Sequence, residues 1–129
     1  MNIEELRAYC ISKAQVEETF PFDSETLVFK VLGKAFLLTG LGSKPLSFNV
    51  KCDPELAMSL REEYGCVQPG YHMNKKHWNT VEVDGSVSDK LIYSWIDHSY
   101  EQVCLGLSKR LQEKLKKEEA KTVKKKSPK

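Results

Sequence analysis

No stretch of 18 apolar residues occurs in this 129-residue chain, so no membrane span is expected. The N-terminus reads Met-Asn-Ile-Glu-Glu, acidic where a secretory leader is basic and then apolar, so a cytoplasmic protein is expected. Cysteine is scarce: Cys10, Cys52, Cys66 and Cys104 form no C-x-x-C pair, and their gaps of 42, 14 and 38 fit no zinc ribbon or finger. Cys10, Cys52 and Cys104 fall on apolar stripes and read as buried free thiols. Catalytic signatures are also missing. There is no G-x-S-x-G, P-loop, G-x-G-x-x-G or H-E-x-x-H, so no enzyme and no cofactor is expected.

Charge is present but unevenly placed. The net +2 divides into −5 for residues 1–108 and +7 for residues 109–129, where ten Lys/Arg face three Glu. An acidic body carries a basic end. Hydrophobic residues make up 40% of the chain, enough to form a core, so one globular domain is expected over 1–115, with a disordered basic tail over 116–129.

The body alternates helical and strand signals. Asn2 with Glu5 forms a capping box, and Ile3, Leu6 and Cys10 follow at helical spacing, predicting a helix over about 2–14. Pro21 ends any helix, and Phe20 and Phe22 are expected to pin that loop to the core. Residues 27–32 and 35–39 flank Gly33-Lys34 as a hairpin. Leu46, Phe48, Val50 and Cys52 alternate with polar residues as a third strand, leaving Lys30 and Lys51 for the exposed face. Asp53-Pro54 opens a second helix that Gly65 closes. Short strands follow near 66–68 and 78–83. A last helix starts at Ser88, with a break near Asp97–Ser99. The order predicts an α+β fold: an antiparallel sheet backed by helices on one face.

The densest chemical cluster is Tyr71-His72-Met73-Asn74-Lys75-Lys76-His77-Trp78. Lysines neutralise phosphates and aromatics stack on bases, so Lys75, Lys76, His77 and Trp78 join Lys30, Lys34 and Lys51 as candidate nucleic-acid contacts. Alternatively Tyr71, His72, His77 and Trp78 anchor a protein or small ligand. Trp78 taken alone reads as a core residue. His72 and His77, five apart, share no face of a helix or strand, so no metal site is expected.

The motifs are informative together. Phe20-Pro21-Phe22, Phe29-Lys30-Val31 with Gly33-Lys34, Asn49-Val50-Lys51-Cys52 before Pro54-Glu55, Pro69-Gly70-Tyr71-His72-Met73 with Lys76-His77-Trp78, and Ser99-Tyr100 resemble the MmcQ/YjbR-like family in order and spacing. The resemblance covers about residues 2–112. It implies a CyaY-like (frataxin-like) two-layer sandwich and a DNA-binding role through a double-wing arrangement of hairpins, with no shared catalytic activity. Frataxin-type iron binding relies on an acidic ridge along the first helix. Here that helix offers only Glu4 and Glu5, so no metal is implied. The expected partner is therefore DNA, contacted mainly at its phosphates by a monomer, with no membrane association. The basic extension is where this chain departs from the family pattern.

Overall fold

The computed structural model describes residues 1–71 and 73–126, the stretch 118–126 by its backbone alone. Among the described residues the chain forms α1 (Ile3–Ile11), β1 (Val16–Thr19), β2 (Thr26–Val31), β3 (Lys34–Gly40), β4 (Ser47–Lys51), α2 (Pro54–Glu63), β5 (Val67–Pro69), β6 (Trp78–Glu82), α3 (Asp89–Leu105) and α4 (Lys109–Lys126). The strands make one antiparallel sheet in the order β1-β2-β3-β4-β6-β5. The core lies between one face of this sheet and the helices, as the α+β expectation required.

Local chemistry explains the elements. The Asn2 side chain accepts from the Glu5 N–H at 2.8 Å, and Glu5 accepts from the Asn2 N–H at 3.1 Å, completing the capping box of α1. The helix stops at Ile11, shorter than expected. Gln15, at φ 59°, then turns the chain into β1. That strand was expected to be loop. Glu17 and Glu18 hide its strand character, and such charges suit an edge strand, where they discourage pairing with another chain. Phe20 and Phe22 do not pin this region to the core: they are 48% and 72% exposed.

The β2–β3 turn uses Leu32 (φ 47°) and Gly33 (φ 86°), the left-handed pair of a type I′ hairpin turn, one residue earlier than the Gly33-Lys34 expectation. A bulge beyond Phe29 lets Lys30 pair with Ala35 and leaves Phe36 as the extra residue. Phe36 and Leu37 are consequently both fully buried, although neighbours in a regular strand point to opposite faces. Lys30 and Lys51 lie in register with helix-free-face residues, as expected.

Helix α2 begins with Asp53 as its cap and Pro54 behind it. Its end differs in detail: Tyr64 is the extended C-cap, and Gly65 supplies no left-handed residue. Helix α3 runs unbroken through Asp97–Ser99, and the break falls at Gly106–Ser108 instead. Ser99 is fully buried. Its hydroxyl donates to the Phe36 carbonyl at 2.5 Å and accepts the Lys51 N–H at 2.8 Å, joining α3 to β3 and β4. A polar residue in a helix suggested a break; here its partners lie across the core.

Asp97 is also occupied. Its Oδ1 accepts from the Tyr9 hydroxyl at 2.6 Å and pairs with the Lys13 ammonium at 2.5 Å, tying α1 to α3. Burial pushes the Tyr9 hydroxyl above its ordinary range, with help from Asp97. None of the four cysteines is in a disulfide; Cys10, Cys52 and Cys66 are buried, and Cys104 is half-buried. Burial pushes the Cys10 thiol up to about 12 and the Cys52 thiol up to about 11.

Leu115 is the last buried residue of α4 whose side chain is described, matching the end of the apolar pattern. The helix nevertheless continues to Lys126, across most of the segment expected to be a disordered tail. Lys, Glu and Ala are good helix formers, which favours this continuation of the backbone. Residues 127–129 of the expected tail lie outside the described residues. No helix among the described residues is long and apolar enough to cross a membrane.

Removing the Ser99 hydroxyl leaves a strand N–H and a bulge carbonyl without their partner. Ser99→Ala is expected to lose about 1–3 kcal/mol of stability, read as a lower denaturation midpoint at unchanged slope. A loss below about 0.5 kcal/mol would mean that neighbouring groups satisfy both atoms.

Candidate functional site

The helices cover one face of the sheet, so the opposite face is where a partner has access. Two loops rise beside it. The β1–β2 loop carries Pro21 and Phe22, and the β5–β6 loop carries Tyr71 and Met73. Between them lies a cleft of about 630 Å³. Val28, Ala35 and Leu38 give it an apolar floor, with Thr26, Ser47 and Asn49 as polar groups. Lys30 is its one charged lining residue among those described.

The β5–β6 loop is held in place from below. Arg61 of α2 donates from Nε to the buried Asn79 Oδ1 at 2.7 Å, and from Nη2 to the Trp78 carbonyl at 3.2 Å and to the Lys75 carbonyl. Asn79 itself donates to the Ala57 carbonyl at 3.4 Å, so α2 and β6 are tied together. On the other side, the Tyr71 N–H donates to Thr80 Oγ1 at 2.9 Å, and that hydroxyl donates to Asn49 Oδ1 at 2.5 Å. Gly70 makes this packing possible: a Cβ there would sit 2.8 Å from the Trp78 Cβ and 2.9 Å from its carbonyl oxygen.

The expected site residues separate into groups. Lys30 and Tyr71 line the cleft. Lys51 stands opposite Trp78 in the β4–β6 register, on the same face as Asn49 and Thr80. Lys34 is exposed beside the hairpin turn, and Lys76 is exposed in the β5–β6 loop. Lys75 is engaged, its ammonium donating to the Gly70 carbonyl at 3.2 Å. His77 acts through its backbone: its N–H donates to Asn74 at 3.1 Å and its carbonyl accepts from Cys52 at 2.7 Å. Trp78 is half-buried. His72 lies outside the described residues. The lysines thus do not converge in one concavity, and the cleft combines one cation with aromatic and apolar groups.

Phe22, Asn49 and Met73 were not expected as cleft residues. Phe-Pro-Phe was visible as a motif, but only the fold shows that Phe22 faces solvent at a cleft rim. Among the described residues no group of three or more His, Cys, Asp or Glu is placed to hold a metal ion.

The model of the YjbR family matches residues 11–102. The chain belongs to the YjbR family. It is 37% identical over 102 residues to the uncharacterized protein YjbR of Escherichia coli K12, covering 79% of this chain and 86% of that protein. Against the uncharacterized protein YbdF of Escherichia coli O157:H7 it is 39% identical over 102 residues, covering 78% and 83%. The crystal structure of Deinococcus radiodurans protein DR2400, of family-model domain DUF419, superposes with a TM-score of 0.82 at 41% identity, covering 88% of this chain and 87% of that one. The resemblance drawn from the sequence motifs and the YjbR-type fold therefore agree. The YjbR match stops before α4, so the basic helix lies outside the matched region.

Gly70→Ala is expected to lower stability by about 1–3 kcal/mol through overpacking against Trp78. In amide NMR spectra the shifts should concentrate in residues 70–80. Wild-type stability with an unperturbed loop would show that the close approach at Gly70 is not a constraint.

Proposed function

We propose that this YjbR-family protein is a non-enzymatic DNA-binding protein, a monomer in which phosphate contacts from α4 supply most of the attraction. The supporting observation is the segregation of charge. Nine Lys/Arg and three Glu of residues 109–126 lie on one helix, whereas residues 1–108 sum to −5. Attraction to a polyanion is set by where positive charge is gathered, and ordinary salt screens beyond about 8–10 Å. The acidic body can approach DNA only where its own carboxylates are turned away. Lys30 and Lys51 on the helix-free face, with Lys34 at the start of β3 and Lys76 in the β5–β6 loop, are the body's candidate contacts. Lys75 is assigned a structural bond to Gly70 in this reading. A second reading, a site for a small ligand, is favoured by the cleft, whose aromatic and apolar lining suits a compact molecule better than a phosphate backbone.

The test is a salt series with the full chain and short DNA. Each phosphate contact contributes about −0.9 to the slope of log affinity against log salt on duplex DNA. Reversing Lys116, Lys117, Lys121 and Lys124 to Glu is expected to weaken binding at low salt by more than about tenfold and to flatten the slope. Lys30→Ala and Lys51→Ala should each flatten it by about one contact. Undiminished binding by the charge-reversed helix, or no binding at low salt by the native chain, contradicts the proposal.

A further inference from the structure

Phe22 and Tyr71 are 72% and 71% exposed, yet they come from separate loops and line the same concavity. Exposed aromatics at a cleft rim offer flat faces for stacking. Tyr71 is set by the chain of hydrogen bonds through Thr80 to Asn49, and Phe22 follows the restricted backbone of Pro21.

The same hydrogen bonds orient Asn49. Its Oδ1 accepts from Thr80, so its amide nitrogen is the atom left for a ligand, and it has no partner among the described residues. Lys30 also lines the cleft and makes no ion pair among the described residues. The site thus offers two aromatic faces, an apolar floor, an amide donor and one cation. The complementary molecule is flat, carries hydrogen-bond acceptors on its edge and bears a negative group.

We infer that the cleft binds a nucleotide unit: the base lies against Phe22 and Tyr71, Asn49 donates to the base edge, and Lys30 takes the phosphate. The unit can come from a single strand with an unstacked base or from a free nucleotide; the strand source rests on the DNA-binding reading above, and the free source does not.

The experiment uses the full chain with three probes: short oligo(dT), an abasic oligomer of equal length, and thymidine monophosphate. Oligo(dT) is expected to bind about tenfold more tightly than the abasic oligomer, because stacked bases add to phosphate attraction. Phe22→Ala and Tyr71→Ala should abolish that preference while leaving abasic binding unchanged. Both residues are exposed, and an unchanged melting temperature checks that the variants fold. Lys30→Ala should weaken thymidine monophosphate but leave thymidine unaffected. Binding of the monophosphate with the same aromatic dependence identifies a free nucleotide as a ligand; dependence seen only with oligo(dT) identifies the strand. The charge-reversed α4 should weaken oligo(dT) and the abasic oligomer equally; no binding of either oligomer by the native chain, with monophosphate binding that depends on Phe22, Tyr71 and Lys30, overturns the DNA reading alone. Equal binding of oligo(dT) and the abasic oligomer, together with monophosphate binding that ignores Phe22, Tyr71 and Lys30, overturns the inference.

Discussion

One buried hydroxyl decides how the layers meet. Ser99 sits in the middle of α3 and bonds at once to the carbonyl of the bulge residue Phe36 and to the N–H of Lys51. The bulge turns two consecutive side chains, Phe36 and Leu37, toward the helices, and Tyr100, next to Ser99, packs edge-on against Phe36 at 5.4 Å. The apolar content of the central strands is thereby concentrated on one side. The opposite face is left free of helices, and the cleft exists because of that asymmetry.

A free sheet face becomes a defined site only if the loops beside it are held. Arg61 does this for the β5–β6 loop by bonding the Lys75 carbonyl in it, the Trp78 carbonyl where β6 begins, and the buried Asn79. Gly70 allows the loop to lie close against Trp78, and Thr80 ties Tyr71 to Asn49. A binding site built this way needs little reordering when a ligand arrives, which reduces the entropic cost of association.

Much of the fold was legible in the sequence because the signals were local. Asn2 and Glu5, Asp53 and Pro54, and the alternation of Phe48 and Val50 each state their element within a few residues. The misses have non-local causes. Glu17 and Glu18 conceal an edge strand, whose partner β2 is the evidence for it. Asp97 and Ser99 looked like a helix break because their partners Lys13, Phe36 and Lys51 are distant in sequence. The site was less legible than the fold. Lys30 and Tyr71 were named and do line the cleft, but Lys75 is bonded within its own loop, His77 bonds through its backbone to Asn74 and Cys52, and Phe22 was assigned to the core. Residue type predicts what a side chain can do; only packing shows whether it is available.

In the function proposed above, the basic helix attracts an anion and the helix-free face receives it. The most direct measurement is amide chemical-shift mapping of the full chain titrated with oligo(dT) at low salt. The account predicts shifts at Phe22, Lys30, Asn49, Tyr71 and along α4, with the core-facing segments of α1 and α3 unmoved. Shifts confined to α1, α2 and α3, or none at any residue of the cleft, would contradict it.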